Sequence, residues 1–205
     1  NLEFARHLSM QLNKYGLCQI MVDRKLGQRC FLSAMVVATV ISIGILPVLN
    51  MAMADSDKIY KNTDPDYITW GAGGFDVNDD ETAGQFEVQA RFNTSLWIFK
   101  PQVGMFVTSK YAAYAYVGLL VDAFIRDSFV VSPSFSIGAS HEGEGKQLGG
   151  TLQFRSAVEF AFCFDDQSRL GLQIGHLSNA GIYSENPGTE FVVLNFSVPT
   201  IVFSR

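Results

Sequence analysis

A histidine, a serine and a glutamate stand close together near the end of the chain, as His176, Ser178 and Glu190. These residue types match a serine hydrolase, which needs a nucleophile, a base that takes its proton, and a carboxylate that orients the base. The residues between Ser178 and Glu190 are rich in Asn, Gly, Ser and Pro, which favours a loop. These residues are therefore candidates for a Ser-His-Glu triad built around a loop, and the alternative is that Ser178 is a turn residue, His176 a rim residue and Glu190 a solvated loop end. Asn179 and the backbone N–H groups around Gly181 are the nearest candidate donors for an oxyanion hole.

The composition indicates which scaffold holds this loop. Only 17% of the 205 residues are charged, against about 25% in an ordinary soluble domain. Aromatic residues make up 13%, with 17 Phe, and the 18 Gly follow no regular period. This profile is typical of a membrane β-barrel.

Short alternating runs separated by turn signals predict an all-β fold. Eight such runs predict an eight-stranded antiparallel transmembrane β-barrel, the smallest common closed barrel, with an interior filled by side chains. The predicted strands are 67–75, 85–92, 103–109, 113–123, 129–139, 151–164, 169–177 and 190–198.

The sixth run predicts which face meets lipid. Its even-numbered positions are rich in Phe, whereas its odd-numbered positions include Arg155 and Glu159. Because strand side chains alternate between faces, the Phe face should meet lipid and Arg155 and Glu159 should pair in the lumen. The same alternation places His176, Ser178 and Glu190 on the lipid-facing side, where a polar group is costly. If both termini are periplasmic, all three lie at the outer rim.

The first 54 residues read as a separate part of the chain. Residues 31–49 are almost wholly apolar, follow Arg24, Lys25 and Arg29, and lead to an Ala-Met-Ala end at Ala54. This pattern predicts a secretory signal cleaved near Ala54, with Met21 as a plausible start and a retained membrane helix as the alternative. The barrel is then residues 55–205.

Charge changes sign at this boundary. Residues 1–54 hold five Lys or Arg and two acidic residues, whereas residues 55–205 hold ten and 18. An acidic barrel is a poor candidate for binding nucleic acid.

Two further features lie in its loops. The acidic run 76–81 is typical of an exposed turn, with Ca²⁺ binding as an alternative, and Lys146 is a candidate contact for lipid phosphates.

The segment HLSNAGIYSENPGTE, residues 176–190, resembles the signature of the lipid A 3-O-deacylases, the PagL-like enzymes of the Gram-negative outer membrane. The opening run WGAGGFD, residues 70–76, is more weakly similar to the start of that family. The resemblance implies an eight-stranded barrel in which His176 is the base, Ser178 the nucleophile and Glu190 the orienting acid. It also implies Asn179 and Gly181 in the oxyanion hole.

The function expected from these observations is an outer-membrane serine esterase that removes the ester-linked 3-hydroxyacyl chain at the 3-position of lipid A. Its partners would be lipopolysaccharide and the surrounding membrane lipid, and an acyl-enzyme route needs no metal or cofactor. Two alternatives stay open: a non-catalytic structural or adhesive barrel, in which Ser178 and Asn179 are turn residues, and an esterase acting on phospholipid.

Overall fold

The computed structural model describes residues 64–79, 82–94, 96–125 and 128–204. The expected signal segment, its cleavage near Ala54 and the start at Met21 lie outside the described residues. Within the described ranges, no helix is both long enough and apolar enough to cross a membrane.

The described chain folds into nine β-strands followed by one turn of 3₁₀ helix at Thr200–Ser204. The strands are β1 Tyr67–Phe75, β2 Ala83–Arg91, β3 Lys100–Thr108, β4 Ala113–Leu120, β5 Ala123–Ile125, β6 Phe129–His141, β7 Leu152–Cys163, β8 Arg169–Ser178 and β9 Thr189–Pro199.

These strands close into an eight-stranded antiparallel barrel, which confirms the predicted fold. Strand β1 pairs with both β2 and β9, and the sheet closes where β4 pairs with β6. Strands β4 and β5 both pair with β6, so they are two parts of one barrel strand. The interruption lies opposite Pro133, which has no N–H to donate to the ladder. Elsewhere the predicted boundaries hold to within a few residues.

The predicted facing of the strands is confirmed, but the predicted ion pair between Arg155 and Glu159 is wrong. Both side chains are buried in the lumen, where Arg155 pairs with Glu87 at 2.9 Å and Glu159 pairs with Arg91 at 2.6 Å. Residues four apart on one strand are separated by about 13 Å, because each residue advances the strand by about 3.3 Å. The partners across the narrow lumen are therefore closer than the neighbour along the strand.

The connections define two ends of the barrel. Residues 64–66 before β1 and 200–204 after β9 lie at one end, together with residues 92–94, 96–99, 128 and 164–168. The opposite end carries residues 76–79, 82, 109–112, 142–151 and 179–188. At this end an apolar cluster inside the barrel includes Leu148 from the connection 142–151, so that connection closes over the lumen.

Candidate active site

The three residues of the predicted triad lie on the outward face of β8 and β9, next to β7. In the sheet register, Ser156 of β7 stands opposite His176 of β8, and His176 stands opposite Glu190 of β9. The alternation along β8 gives His176 and Ser178 the parity of Leu172 and Ile174, which are exposed on the outer wall. The register therefore brings three polar side chains into one row across the barrel wall.

His176 and Glu190 form the closest contact of the candidate triad. His176 Nδ1 lies 3.1 Å from Glu190 Oε1, and the histidine side chain is 2% exposed against 22% for the glutamate. With Nδ1–H donating to the carboxylate, Nε2 carries a lone pair and can accept a proton. Nε2 is buried and has no hydrogen-bond partner among the residues the structure describes.

Ser178 lies beside this pair without bonding to it. It follows His176 by two residues on the same face of β8, so their Cα atoms are about 6.7 Å apart. Within the described part of the chain, its hydroxyl forms no hydrogen bond with the imidazole. Contacts between a nucleophile and its base are often long in ligand-free enzymes and shorten when substrate binds. The structure thus joins His176 to Glu190 and places Ser178 next to them.

A tight turn begins directly after Ser178. Ile182 N donates to Asn179 O at 3.1 Å, and the two central residues, Ala180 and Gly181, have φ values of 54° and 78°. Two positive φ angles are typical of a type I′ turn, which favours glycine and tolerates few other residues. This turn reverses the chain as soon as it leaves β8, so the loop that follows stays beside Ser178.

Asn179 is the anchor of this loop, which we call the site loop (residues 179–188). Its Nδ2 donates to Leu148 O at 2.9 Å and to Glu185 O at 2.7 Å, and its Oδ1 accepts from Gly181 N at 2.9 Å. The Asn179 side chain is fully buried, and its bond to Leu148 O is shielded from solvent. Both expected oxyanion donors, Asn179 and Gly181, are therefore engaged in hydrogen bonds within the site loop and to Leu148.

The loop next to it supports the site loop from the side. We call residues 142–151 the plug loop, because its Leu148 packs among the inward-facing residues of the barrel. The Tyr183 hydroxyl accepts from Leu152 N at 3.2 Å, and the Tyr183 ring occupies the space that a side chain at Gly150 would need. The two loops are thus packed and hydrogen-bonded together.

Asn186 was not among the residues that the sequence singled out. Its Oδ1 accepts from Asn179 N at 3.1 Å, directly after Ser178 in the chain. This bond fixes the orientation of the amide, and Asn186 Nδ2 donates to no group among the described residues. The Asn-Pro-Gly sequence suggested only a turn, which masked a side chain that could serve as a donor.

The acidic run departs from the expected exposed turn. Asp76 is fully buried with a φ of 59°, and its Oδ1 accepts from the Thr189 hydroxyl at 2.8 Å. Lys146 Nζ lies 2.6 Å from Asp79 Oδ2 and 3.5 Å from Asp76 Oδ1. Lys146 thus forms ion pairs with the acidic turn. No cluster of three His, Cys, Asp or Glu side chains suited to a metal ion occurs within the described residues.

Comparison with known proteins decides the family. The family model for the lipid A 3-O-deacylases (PagL) matches residues 81–199, which is more than half of the chain. The chain belongs to this family. A curated member, the lipid A deacylase PagL of Bordetella bronchiseptica (strain ATCC BAA-588 / NCTC 13252 / RB50), is 36% identical over 52 residues. That match covers 25% of this chain and only 29% of the relative.

The barrel also resembles a solved structure of the PagL family. The crystal structure of the outer membrane enzyme PagL aligns with a TM-score of 0.56 at 17% identity, covering 65% of this chain and 99% of the other. At this identity the likeness supports the fold alone. The family and the fold therefore agree.

Proposed function

We propose that this protein is a serine esterase of the Gram-negative outer membrane that removes the ester-linked acyl chain at the 3-position of lipid A. The observation that carries the proposal is the hydrogen-bonded pair of His176 and Glu190 on the outward face of a barrel of the lipid A 3-O-deacylase family. A base and its orienting acid on a largely apolar wall need a function, because burying a polar group such as His176 Nε2 without a hydrogen-bond partner is destabilising.

The surroundings of the pair suit a lipid substrate. Directly next to the polar row, the register aligns Val158, Ile174 and Val192 on the outer face, and the next row holds Phe160, Leu172 and Leu194. An acyl chain can lie along these rows while its ester group reaches Ser178. The site lies at the end opposite the termini of the barrel, which is the outer leaflet if those termini are periplasmic.

The chemistry follows from the positions of the three side chains. His176 Nε2 takes the proton of Ser178 Oγ, which attacks the ester carbonyl carbon and forms a tetrahedral intermediate. Glu190 holds the imidazole in the tautomer that leaves Nε2 free and stabilises the imidazolium that forms. The imidazolium then protonates the leaving sugar hydroxyl, and an acyl-enzyme remains on Ser178. Water activated by His176 releases the acyl chain as a carboxylic acid.

The oxyanion needs a donor that is free to reach it. The amide of Asn179 and the N–H of Gly181 are bonded within the site loop, so either would have to exchange a partner to serve. Asn186 Nδ2 has no such engagement, and its amide is hydrogen-bonded to the residue that follows Ser178. We therefore assign the side-chain donor to Asn186 and give Asn179 the role of holding the site loop in place.

Export accounts for the N-terminal part of the chain in this proposal. Residues 1–54 hold the N-terminal extension and the signal segment, and cleavage near Ala54 leaves residues 55–205 as the mature barrel. Sequencing the N-terminus of protein isolated from outer membranes tests this, and a chain that retains residues 21–54 would contradict it.

The function is tested by the mass of lipid A from a Gram-negative host that expresses the protein. Wild type should remove one 3-hydroxyacyl chain, and Ser178→Ala should leave lipid A unchanged. Ser184→Ala is the matched control, because Ser184 is an exposed serine of the same loop. Acyl removal by Ser178→Ala would exclude Ser178 as the nucleophile.

The same experiment separates the alternatives. Phospholipids extracted from the same cells would show loss of an acyl chain if the substrate were a glycerophospholipid. A folded wild-type barrel that alters neither lipid, and whose Ser178 does not react with a serine-directed probe, would indicate a non-catalytic barrel.

A further inference from the structure

Two polar residues on the outer wall, His141 and Ser156, have no part in the proposed triad. The outward faces of the nine strands carry Gly, Ala, Pro and large apolar residues almost throughout. The polar side chains on those faces are His141, Ser156, His176, Ser178 and Glu190. His141 ends β6 at the loops, so Ser156 is the additional member of the patch around the triad.

Ser156 is placed in direct contact range of the site. It stands opposite His176 in the register, and its strand neighbours on the same face, Phe154 and Val158, stand opposite Ser178 and Ile174. Directly opposite residues on adjacent strands have Cβ atoms about 4.5–5.5 Å apart, and diagonal neighbours are about 7–8 Å apart. Ser156 therefore lies beside the imidazole and one diagonal step from the nucleophile.

The hydroxyl of Ser156 is unpaired in the described protein. It makes no hydrogen bond to His176, to a backbone carbonyl or to any other described group, and the residue is partly exposed on the outer face. A hydroxyl that faces hydrocarbon without a partner is destabilising. The other outward positions of β7 are Leu, Phe and Val, so an apolar residue would fit at this position.

The proposed substrate supplies the missing partner. A 3-hydroxyacyl chain carries a hydroxyl two carbons from the ester carbonyl. When that carbonyl reaches Ser178, the hydroxyl is drawn onto the apolar wall and loses its water. Ser156 and Ser178 are about 7–8 Å apart as diagonal neighbours. This distance accommodates the approach of Ser178 Oγ to the carbonyl carbon, the chain carbons that lead to the 3-hydroxyl, and one hydrogen bond from that hydroxyl to Ser156.

We propose that Ser156 is a specificity-determining residue that hydrogen-bonds the 3-hydroxyl of the acyl chain held at Ser178. This inference rests on the proposed esterase function. It adds that the enzyme prefers hydroxylated acyl chains to plain ones. A site with a hydrogen-bonding group for a substrate hydroxyl disfavours the analogue that lacks it, because the site's own group is then left unpaired.

The test compares two substrates in purified barrel folded in detergent micelles. One is lipid A with a 3-hydroxyacyl chain at the 3-position, and the other is a synthetic analogue with a plain saturated chain of the same length. Wild type should favour the hydroxylated substrate by about tenfold in kcat/KM, the effect of one hydrogen bond in a shielded site. Ser156→Ala should bring the ratio close to one, because it removes the hydrogen bond to the hydroxylated chain and the unpaired hydroxyl that disfavours the plain chain.

Two control variants separate recognition from a structural role. Ser156→Thr keeps a hydroxyl and should retain the preference, whereas Val158→Ala removes outer-wall contacts and should lower both rates together. The inference is overturned if wild type does not discriminate, if Ser156→Ala keeps the wild-type ratio, or if Ser156→Ala lowers both rates equally. Wild type that hydrolyses neither substrate would overturn the proposed function along with it, so the two failures are distinguishable.

Discussion

The Thr189 hydroxyl donates to Asp76 Oδ1 at 2.8 Å, a bond between residues 113 positions apart in the chain. Glu190 follows Thr189 directly, and its carbonyl accepts from Val77 N at 3.2 Å. The connection between β1 and β2 therefore holds the first residues of β9. Since Glu190 Oε1 lies 3.1 Å from His176 Nδ1, the position of this pair depends on a buried contact outside the candidate triad.

Replacing Thr189 by Val should weaken the enzyme without abolishing it. The change keeps the shape but leaves the fully buried Asp76 without its hydroxyl partner, at a cost of about 1–3 kcal/mol. We expect a lower unfolding free energy and a kcat several-fold below wild type, with KM little changed. Urea unfolding in detergent and steady-state hydrolysis measure the two effects. An unchanged kcat would show that Glu190 does not depend on this contact.

Glu190 itself should matter more for rate than for folding. Glu190→Ala removes the group that sets the imidazole tautomer, and loss of such an acid lowers kcat by up to about 10⁴-fold. Its side chain is partly exposed, so the barrel should still fold. Glu185→Ala is the matched control, because it removes an exposed acid from the neighbouring site loop and should keep wild-type activity. Equal activity of the two variants would remove Glu190 from the triad.

The lumen ion pairs should govern stability independently of activity. Glu159 accepts hydrogen bonds from Arg91 Nη1 and Nη2, at 2.9 and 2.6 Å, and one from Asn195 Nδ2. Glu159→Ala leaves Arg91 as a buried charge without its partner, which costs about 3–5 kcal/mol. Unfolding midpoints should fall accordingly, whereas Asp165→Ala in an exposed turn should leave them unchanged. If the unfolding free energy of Glu159→Ala fell by less than about 1 kcal/mol, water would have to reach the Arg91 charge in the lumen.

Lys146 gives the loops a predictable response to alkali. Burial alone lowers the pKa of Lys146, but the hydrogen bond to Asp79 and the charges of Asp76 and Asp79 outweigh it and raise the pKa above 10.5. A raised folded-state pKa means that the stabilisation is complete below 10.5 and is lost as pH rises through the folded-state value. The difference in unfolding free energy between wild type and Lys146→Gln should be constant from pH 8 to 10. It should then shrink above 10.5, and a difference that shrinks already below pH 9 would contradict the assignment.

The alternation of side chains predicted the barrel and which face of each strand meets lipid, because successive residues of one strand point to opposite faces. Phe154 and Arg155 differ by one position and point to opposite sides, as their types suggest. The partners across the lumen were not predictable, because three strands separate β7 from β2 in either direction around the barrel, and the stagger of those strands sets where Arg155 meets Glu87. Local sequence carries no record of that stagger.

The candidate site was likewise predictable from the sequence only in part. His176, Ser178 and Glu190 share a face by parity, so their grouping followed from the sequence. The roles of Asn179 and Asn186 depend on how the site loop folds back, and both residue types are common in turns for reasons unrelated to catalysis. Ser156 was assigned to the lipid-facing row of β7, yet its position opposite His176 required the register between β7 and β8.

The two asparagines of the site loop give the sharpest test of the oxyanion assignment. Asn186→Ala removes a free amide donor, and loss of one such donor lowers kcat by about 10²–10³-fold. The fold should survive, because Asn186 contributes one acceptor to a single backbone N–H.

Asn179→Ala should behave differently, since its buried amide holds Leu148, Glu185 and Gly181 together. We expect the loops to loosen, with faster proteolysis of the site loop and a fall in both stability and activity. Limited proteolysis and kcat measured on the same preparations distinguish the two variants. If Asn186→Ala kept full activity while Asn179→Ala lost it with the loops still protected, Asn179 would be the donor and would have to exchange its loop carbonyls for the oxyanion.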